Sequence, residues 1–345
     1  MMRSIETLSG MPALSFGSDS EPGIRRRGMK RFTYVNETTG RPASRSDVAR
    51  ILALVIPPAW TDVWISVSPD SHLQATGRDA KGRKQYRYHE AFTSSRAENK
   101  FADLVPFADV LGPLRRRVDR DLSADDLSRD RVVATIVRLL DITSLRVGNT
   151  EYERTNNSYG LTTLRNRHVA VRGATIELAF RGKSAHEFDL SVDSMRLAKI
   201  VRGCQHLPGQ QLFEYRSADG TVRRIGSIDV NQYLGEHGGP GVTAKTFRTW
   251  NATVRAASGL ADAAQYAEVP TTRIVNEVID QVADHLGNTR TVCRHSYVHP
   301  FVVESFVDGT MLPVWQRAVG KQPTGLSNAE RRTLRLLRTA RRNQR

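Results

Sequence analysis

Three cations stand where a chain tends to present side chains rather than bury them. Arg146 follows the apolar-periodic stretch 132–145, where it gives way to Val147-Gly148-Asn149. Lys183 lies in the turn Arg181-Gly182-Lys183-Ser184 between two alternating segments, near the tip of a predicted hairpin. Arg248 follows Thr243, a helix-cap residue type, in Lys245-Thr246-Phe247-Arg248. Each alone reads as a solvated surface charge. Together they fit one chemistry, transfer at a phosphodiester without a metal. That reaction needs a side-chain nucleophile, a proton donor for the leaving oxygen and donors for the non-bridging oxygens. Spacing selects none of the nine tyrosines as the nucleophile.

Other chemistries lack their residues. The nine histidines include no His-Glu-x-x-His, and His295 and His299, which could share a helix face, have no third ligand in view. Gly235-Glu236-His237-Gly238-Gly239-Pro240-Gly241 is glycine-rich but lacks the Lys-Ser/Thr of a phosphate loop, so it reads as a loop. No metal, nucleotide or other cofactor is expected. Cys204 and Cys293, far apart, exclude a disulfide scaffold or a thiolate zinc site and fit a reducing cytoplasm.

Charge names the partner class. The 345 residues carry 51 Lys and Arg against 36 Asp and Glu, a net charge of +15. All but eight of those cations are arginine, whose planar fork suits phosphate oxygens. A polyanion follows, and nucleic acid fits better than a membrane because no basic amphipathic anchor, signal peptide or long apolar span stands out.

The elements that must position these groups fall into two domains. Residues 1–23 read as a flexible tail, and 24–95 as a small β-rich N-terminal domain. Its strands are expected at Phe32–Val35, Trp64–Ser68 and Leu73–Thr76, and its helix over Ser46–Ile56, capped by Ser46. Residues 96–345 read as a larger, mainly helical domain, interrupted by a β-hairpin through Thr175–Phe180 and Phe188–Val192. Its Arg-rich C-terminal segment, Ser327 to Arg345, carries seven Arg against one Glu and reads as phosphate contacts or solvated charge. The fold class is α+β.

Seven blocks in order extend the reading. They are Ile56-Pro57-Pro58-Ala59-Trp60-Thr61-Asp62-Val63-Trp64-Ile65, Gly77 to His89, Leu145-Arg146-Val147-Gly148-Asn149, Ser158 to Leu164, Phe180-Arg181-Gly182-Lys183, Lys245 to Trp250 and Ser296-Tyr297-Val298-His299-Pro300. From about residue 24 to 310 the chain resembles the type IB DNA topoisomerases, in their short poxvirus-like and bacterial form. The resemblance implies a C-shaped clamp on duplex DNA with a recombinase-like catalytic fold. It implies Tyr297 as the nucleophile forming a 3′-phosphotyrosyl bond, Lys183 as general acid beside Arg146 at the leaving 5′ oxygen, and Arg248 at a non-bridging oxygen. Lys84, Gln85, Tyr86, Tyr88 and Lys245 would contact DNA, while Trp60 and Trp64 read as core. One position departs from the poxvirus pattern. Asn288 stands where those enzymes carry His; its amide can still donate to phosphate but carries no charge, and Gly287-Asn288 also reads as a helix cap.

The implied enzyme is a monomer that relaxes supercoils of either sign without ATP, at the nucleoid in the cytoplasm. A tyrosine recombinase is the alternative, although recombinases usually carry His where this chain has Lys245 and lack the N-terminal blocks. A non-enzymatic architectural DNA binder would explain the charge but not the catalytic constellation.

Overall fold

A computed structural model describes residues 14–29, 31–80, 82–93, 101–266, 268–318, 320 and 323–343. The chain divides into two units, residues 1–100 and 101–345.

The first unit is an antiparallel sheet built from β1 (Ile24–Arg27), β2 (Thr33–Asn36), β3 (Thr61–Ile65), β4 (Leu73–Arg78) and β5 (Lys84–Tyr88), in the order β2-β1-β3-β4-β5. Helix α1 (Arg45–Ala53) sets Ile51 against Ile24, Val63, Ile65 and Ala75 to form a small core, with Trp60 packed on its margin. The helix starts earlier than Ser46. Ser44 is the cap, its Oγ accepting from Asp47 N at 3.1 Å, and Ser46 merely shares a hydrogen bond with it. Trp64 is buried and donates Nε1–H to the Glu21 carbonyl at 2.9 Å. Ser15 bridges to Ser71, and Gly17 N donates to His72 Nδ1. Residues 14–23, expected as part of a free tail, are therefore packed on the sheet; residues 1–13 lie outside the described residues.

The second unit is mainly helical. Its helices are α2 (Leu104–Leu122), α3 (Arg129–Thr143), α4 (Thr150–Asn156), α5 (Met195–Gln205), α6 (Ser227–Gly238), α7 (Ala244–Ala264), α8 (Thr272–Leu286), α9 (Arg290–Ser296), α10 (Pro300–Val307), α11 (Met311–Gln316) and α12 (Asn328–Asn343). Phe107 on α2 packs edge-on against Phe247 and Trp250 of α7, with ring centroids 5.0 and 6.3 Å away, inside one continuous apolar core. A three-stranded antiparallel sheet, β6 (Val169–Arg172), β7 (Thr175–Arg181) and β8 (Glu187–Asp193), carries the hairpin. A short two-stranded ribbon, β9 (Glu214–Arg216) and β10 (Val222–Arg224), lies elsewhere in this unit.

Two segments differ from what their composition predicts. The glycine-rich 235–241 segment is not all loop, because α6 runs through Gly238, which is buried against Val242. The chain turns only beyond it, where Gly239 and Gly241 take positive φ. The Arg-rich C-terminal segment is not a solvated appendage. Ser327 and Glu330 cap α12 reciprocally, and Leu334, Leu336, Leu337 and Ala340 enter the core. Its arginines serve the fold as well. Arg335 donates to the carbonyls of Arg317 and Ala318, and Arg338 pairs with Asp109 at 2.7 Å. No helix among the described residues is long and apolar enough to cross a membrane.

Candidate active site

Arg146 is aimed by the way α3 ends. Ser144 takes the left-handed conformation at φ 58°, Leu145 is buried, and Arg146 emerges. Two glycines then let the chain cross itself. Gly148 sits at φ 105°, and a Cβ on Gly160 would fall 2.7 Å from both Gly148 Cα and the Arg146 carbonyl. Leu161 N donates to that carbonyl at 2.9 Å, and Thr162 N donates to the Val147 carbonyl at 2.7 Å. The sequence shows the Ser158–Leu164 block but not this task, holding the backbone under Arg146. No local pattern reveals a contact between two glycines twelve residues apart.

Arg248 is reached from α7 and is buried at 3 % exposure. It donates to the carbonyls of Ser144 and, at 3.0 Å, of Leu286. Arg146 donates to the Gly287 carbonyl at 3.3 Å and to Asn288 Oδ1 at 2.5 Å. Carbonyls at the C-terminal ends of α3 and α8 thus hold both guanidinium groups, which suits the negative end of a helix dipole. They satisfy donors without neutralising charge. Among the described residues no carboxylate forms an ion pair with Arg146, Lys183, Lys245 or Arg248.

Lys183 is set by the hairpin tip, where Ser184 and Ala185 both take positive φ. Gly182 is needed for room rather than for positive φ, since a Cβ there would lie 2.6 Å from the Phe188 ring. Gly287, the left-handed cap of α8, lies where a Cβ would meet His186 and Phe188 at 2.7 Å, so the hairpin docks on the same helix end that holds the arginines. Lys183 Nζ stands 5.5 Å from the centroid of the Tyr152 ring.

Tyr297 follows α9 directly, and the Arg248 guanidinium lies 5.1 Å from its ring centroid. Burial opposes the phenolate, but the charges of Arg248 and Arg146 outweigh it and hold the phenol below its ordinary pKa. Burial and the neighbouring Arg146 push Arg248 down in turn, yet a guanidinium stays charged at neutral pH. A cavity of about 300 Å³ is lined by Arg146, Tyr152, Lys183, Lys245, Arg248 and Tyr297 among others. A lowered phenol facing four unpaired cations is equipped to attack a phosphodiester.

Asn288 reaches the cavity only through Arg146. Its Oδ1 is occupied, and its buried Nδ2 has no hydrogen-bond partner. Both residues cap α8, as expected: with Gly287 left-handed, its N–H donates to the Asp284 carbonyl at 3.0 Å and the Asn288 N–H to the Ala283 carbonyl at 2.9 Å. His295 and His299 do not share a helix face. His295 lies within α9, whereas His299 caps α10 and accepts from Phe301 N through Nδ1. Among the described residues no group of three His, Cys, Asp or Glu side chains could hold a metal ion.

The remaining expected residues belong to the first unit. On β5, Tyr86 and Tyr88 are exposed and stacked with centroids 6.1 Å apart. Gln85 donates to Asp79 at 2.9 Å, and Lys84 pairs with Asp19 at 2.5 Å.

Residues 89–308 match the pattern of the eukaryotic DNA topoisomerase I catalytic core, and residues 31–79 that of the bacterial DNA topoisomerase IB N-terminal domain. The DNA topoisomerase 1B of Acanthamoeba polyphaga mimivirus is 30% identical over 290 residues, spanning 82% of this chain and 86% of the relative. The chain belongs to the type IB DNA topoisomerases. A more distant member, DNA topoisomerase 1B of Vaccinia virus (strain Copenhagen), is 19% identical across 71% of this chain and 76% of its own. A solved XerH site-specific recombinase bound to palindromic difH substrate aligns at a TM-score of 0.35 and 11% identity, over 68% of this chain and 59% of that one. The catalytic-core pattern spans the 145–149, 180–183, 245–250 and 296–300 segments.

Proposed function

We propose that this type IB topoisomerase relaxes duplex DNA through Tyr297. The phenolate oxygen attacks the scissile phosphorus, a P–O bond forms to tyrosine, and the bond to the 5′ oxygen breaks. Lys183, with Arg146 beside it, gives that oxygen its proton, while Arg248 donates to a non-bridging oxygen. Asn288 acts through Arg146, which its Oδ1 braces. The 3′-phosphotyrosyl bond keeps the energy of the phosphodiester, so the freed strand can swivel, relieve supercoils of either sign and be resealed without ATP or a metal. Tyr86 and Tyr88 meet base edges from the first unit, with Gln85, Lys84 and Lys245 as further DNA contacts. One chain supplies every group, so the enzyme acts as a monomer, and with DNA as substrate its site of action is the nucleoid in the cytoplasm.

The observation that carries this reading is the convergence of Arg146, Lys183, Lys245, Arg248 and Tyr297 on one cavity with the phenol pKa held down. The test is plasmid relaxation in EDTA without ATP, followed by denaturant trapping. The wild type should change linking number and leave nucleotides on the Tyr297 peptide, and Tyr297→Phe should bind duplex without forming adduct. Adduct on the Phe variant would assign the chemistry to another tyrosine.

A further inference from the structure

Tyr297 sits at a weak place in the chain. Its helix has only seven residues, and Tyr297 itself has left helical geometry at φ −135° and ψ −20°. Its own N–H and that of Val298 both return to the Cys293 carbonyl, at 2.9 and 3.2 Å. Beyond them the chain turns before entering α10. In that turn the Tyr297 carbonyl and the His299 N–H meet a single side chain, that of Thr253. The Thr253 hydroxyl donates to the Tyr297 carbonyl at 3.1 Å and accepts from His299 N at 3.2 Å. Thr253 is fully buried, and it lies on α7, five residues after Arg248.

We infer that Thr253 is a positioning residue for the nucleophile. One rigid helix then fixes both the guanidinium beside the phenol and the backbone from which the phenol projects. The inference rests on Tyr297 being the nucleophile. Thr253 touches neither phosphate nor the reacting oxygen, and it acts by holding the turn. Without its hydroxyl, a part-buried carbonyl and a part-buried N–H lose this partner, and the turn shifts to find others. In-line attack tolerates little displacement, with a shift near 1 Å costing about a hundredfold. Cleavage and religation pass through the same five-coordinate phosphorus, so a displaced tyrosine slows both by one factor and leaves their ratio unchanged.

A role in stability alone has a different signature. It lowers the melting temperature and the fraction of molecules that react, but not the rate constant of those that are folded. The test is single-turnover cleavage of a suicide duplex by the full chain at saturating enzyme, then religation to an added strand, for Thr253→Val, Thr253→Ser and Thr253→Ala. Thr253→Val should lose about tenfold to a hundredfold in both rate constants, with duplex affinity and the cleavage-to-religation ratio unchanged. Thr253→Ser, which keeps the hydroxyl, should stay close to wild type. Wild-type rate constants in the Val variant, or a Ser variant as slow as Val, would overturn the proposal. If the Val variant fails to fold, the Ser and Ala pair decides, since both lose the methyl and only Ala loses the hydroxyl; equal rates in that pair would also overturn it. Tyr297→Phe run alongside separates the two levels. Adduct from that variant removes the nucleophile assignment itself, whereas a silent Thr253 series leaves that assignment standing.

Discussion

The leaving 5′ oxygen gives Lys183 a role that simple loss of activity cannot prove. An alkoxide leaves poorly, so a proton donor matters at that one atom. With sulfur in its place the leaving thiolate needs no proton. Lys183→Ala should therefore cleave ordinary DNA slowly, by about a hundredfold or more, and the sulfur substrate near the wild-type rate. Arg248→Ala should be slow on both, because its partner is a non-bridging oxygen that the swap leaves alone. Equal Lys183→Ala defects on the two substrates would leave that lysine as a phosphate contact only. Tyr297 carries a prediction in pH. Arg248 and Arg146 hold the phenol below the ordinary tyrosine value of 10.0, so removing Arg248 should raise its titration midpoint. The ultraviolet difference between each protein and its Tyr297→Phe counterpart, followed through alkaline pH, reads that midpoint. An unmoved midpoint would show that Arg248 does not set the phenol's charge.

Among the elements, α12 turns from appendage into support. Arg115 donates to both Asp141 and Glu330, and Glu330 also accepts from Trp250 Nε1 at 3.2 Å, two residues from Arg248. Burial raises the Glu330 pKa, but its hydrogen bonds with Arg115 more than offset this and leave it below the ordinary 4.5. A depressed carboxylate contributes stability that is fully present above the unfolded value and is lost as pH falls through the folded one. Glu330→Gln should thus be less stable at neutral pH by up to about 3 kcal/mol, with the gap to wild type narrowing below pH 4.5 in urea unfolding. A gap constant with pH would deny the carboxylate its charge-dependent role. This element also marks what the sequence could reveal. The apolar period of 132–145 locates α3 and the start of Arg146, and alternation around Gly182 locates the hairpin carrying Lys183. The charge of the C-terminal segment hid its leucines, because seven arginines weigh on composition while burial depends on spacing. The sequence does not single out Ser44 as the cap because Ser46 stands two residues away and only backbone geometry chooses between them. The docking of Gly287 on His186 and Phe188 joins segments a hundred residues apart, which no local pattern encodes.

At the scale of the molecule, a net charge of +15 overstates what is free for DNA. Much of the arginine is committed internally: Arg129 pairs with Asp229, Arg165 with Glu153, Arg290 with Asp280 and Arg338 with Asp109. The charge still names the partner class correctly, since internal pairs cancel and the excess must face outward or into the cavity. Which cations meet phosphate is a separate question that salt can answer. Counterions released from DNA make the logarithm of the binding constant fall linearly with the logarithm of salt, by roughly one unit of slope per neutralised phosphate. Lys245 lines the cavity without a carboxylate partner, so Lys245→Ala should weaken duplex binding and lower the slope by about one. Arg338 is spent on Asp109, so Arg338→Gln should lower the melting temperature while leaving the slope where it was. Binding isotherms on a non-specific duplex from about 50 to 200 mM salt measure both. If Arg338→Gln reduces the slope and Lys245→Ala does not, the C-terminal helix meets DNA and the cavity lysine serves the protein alone.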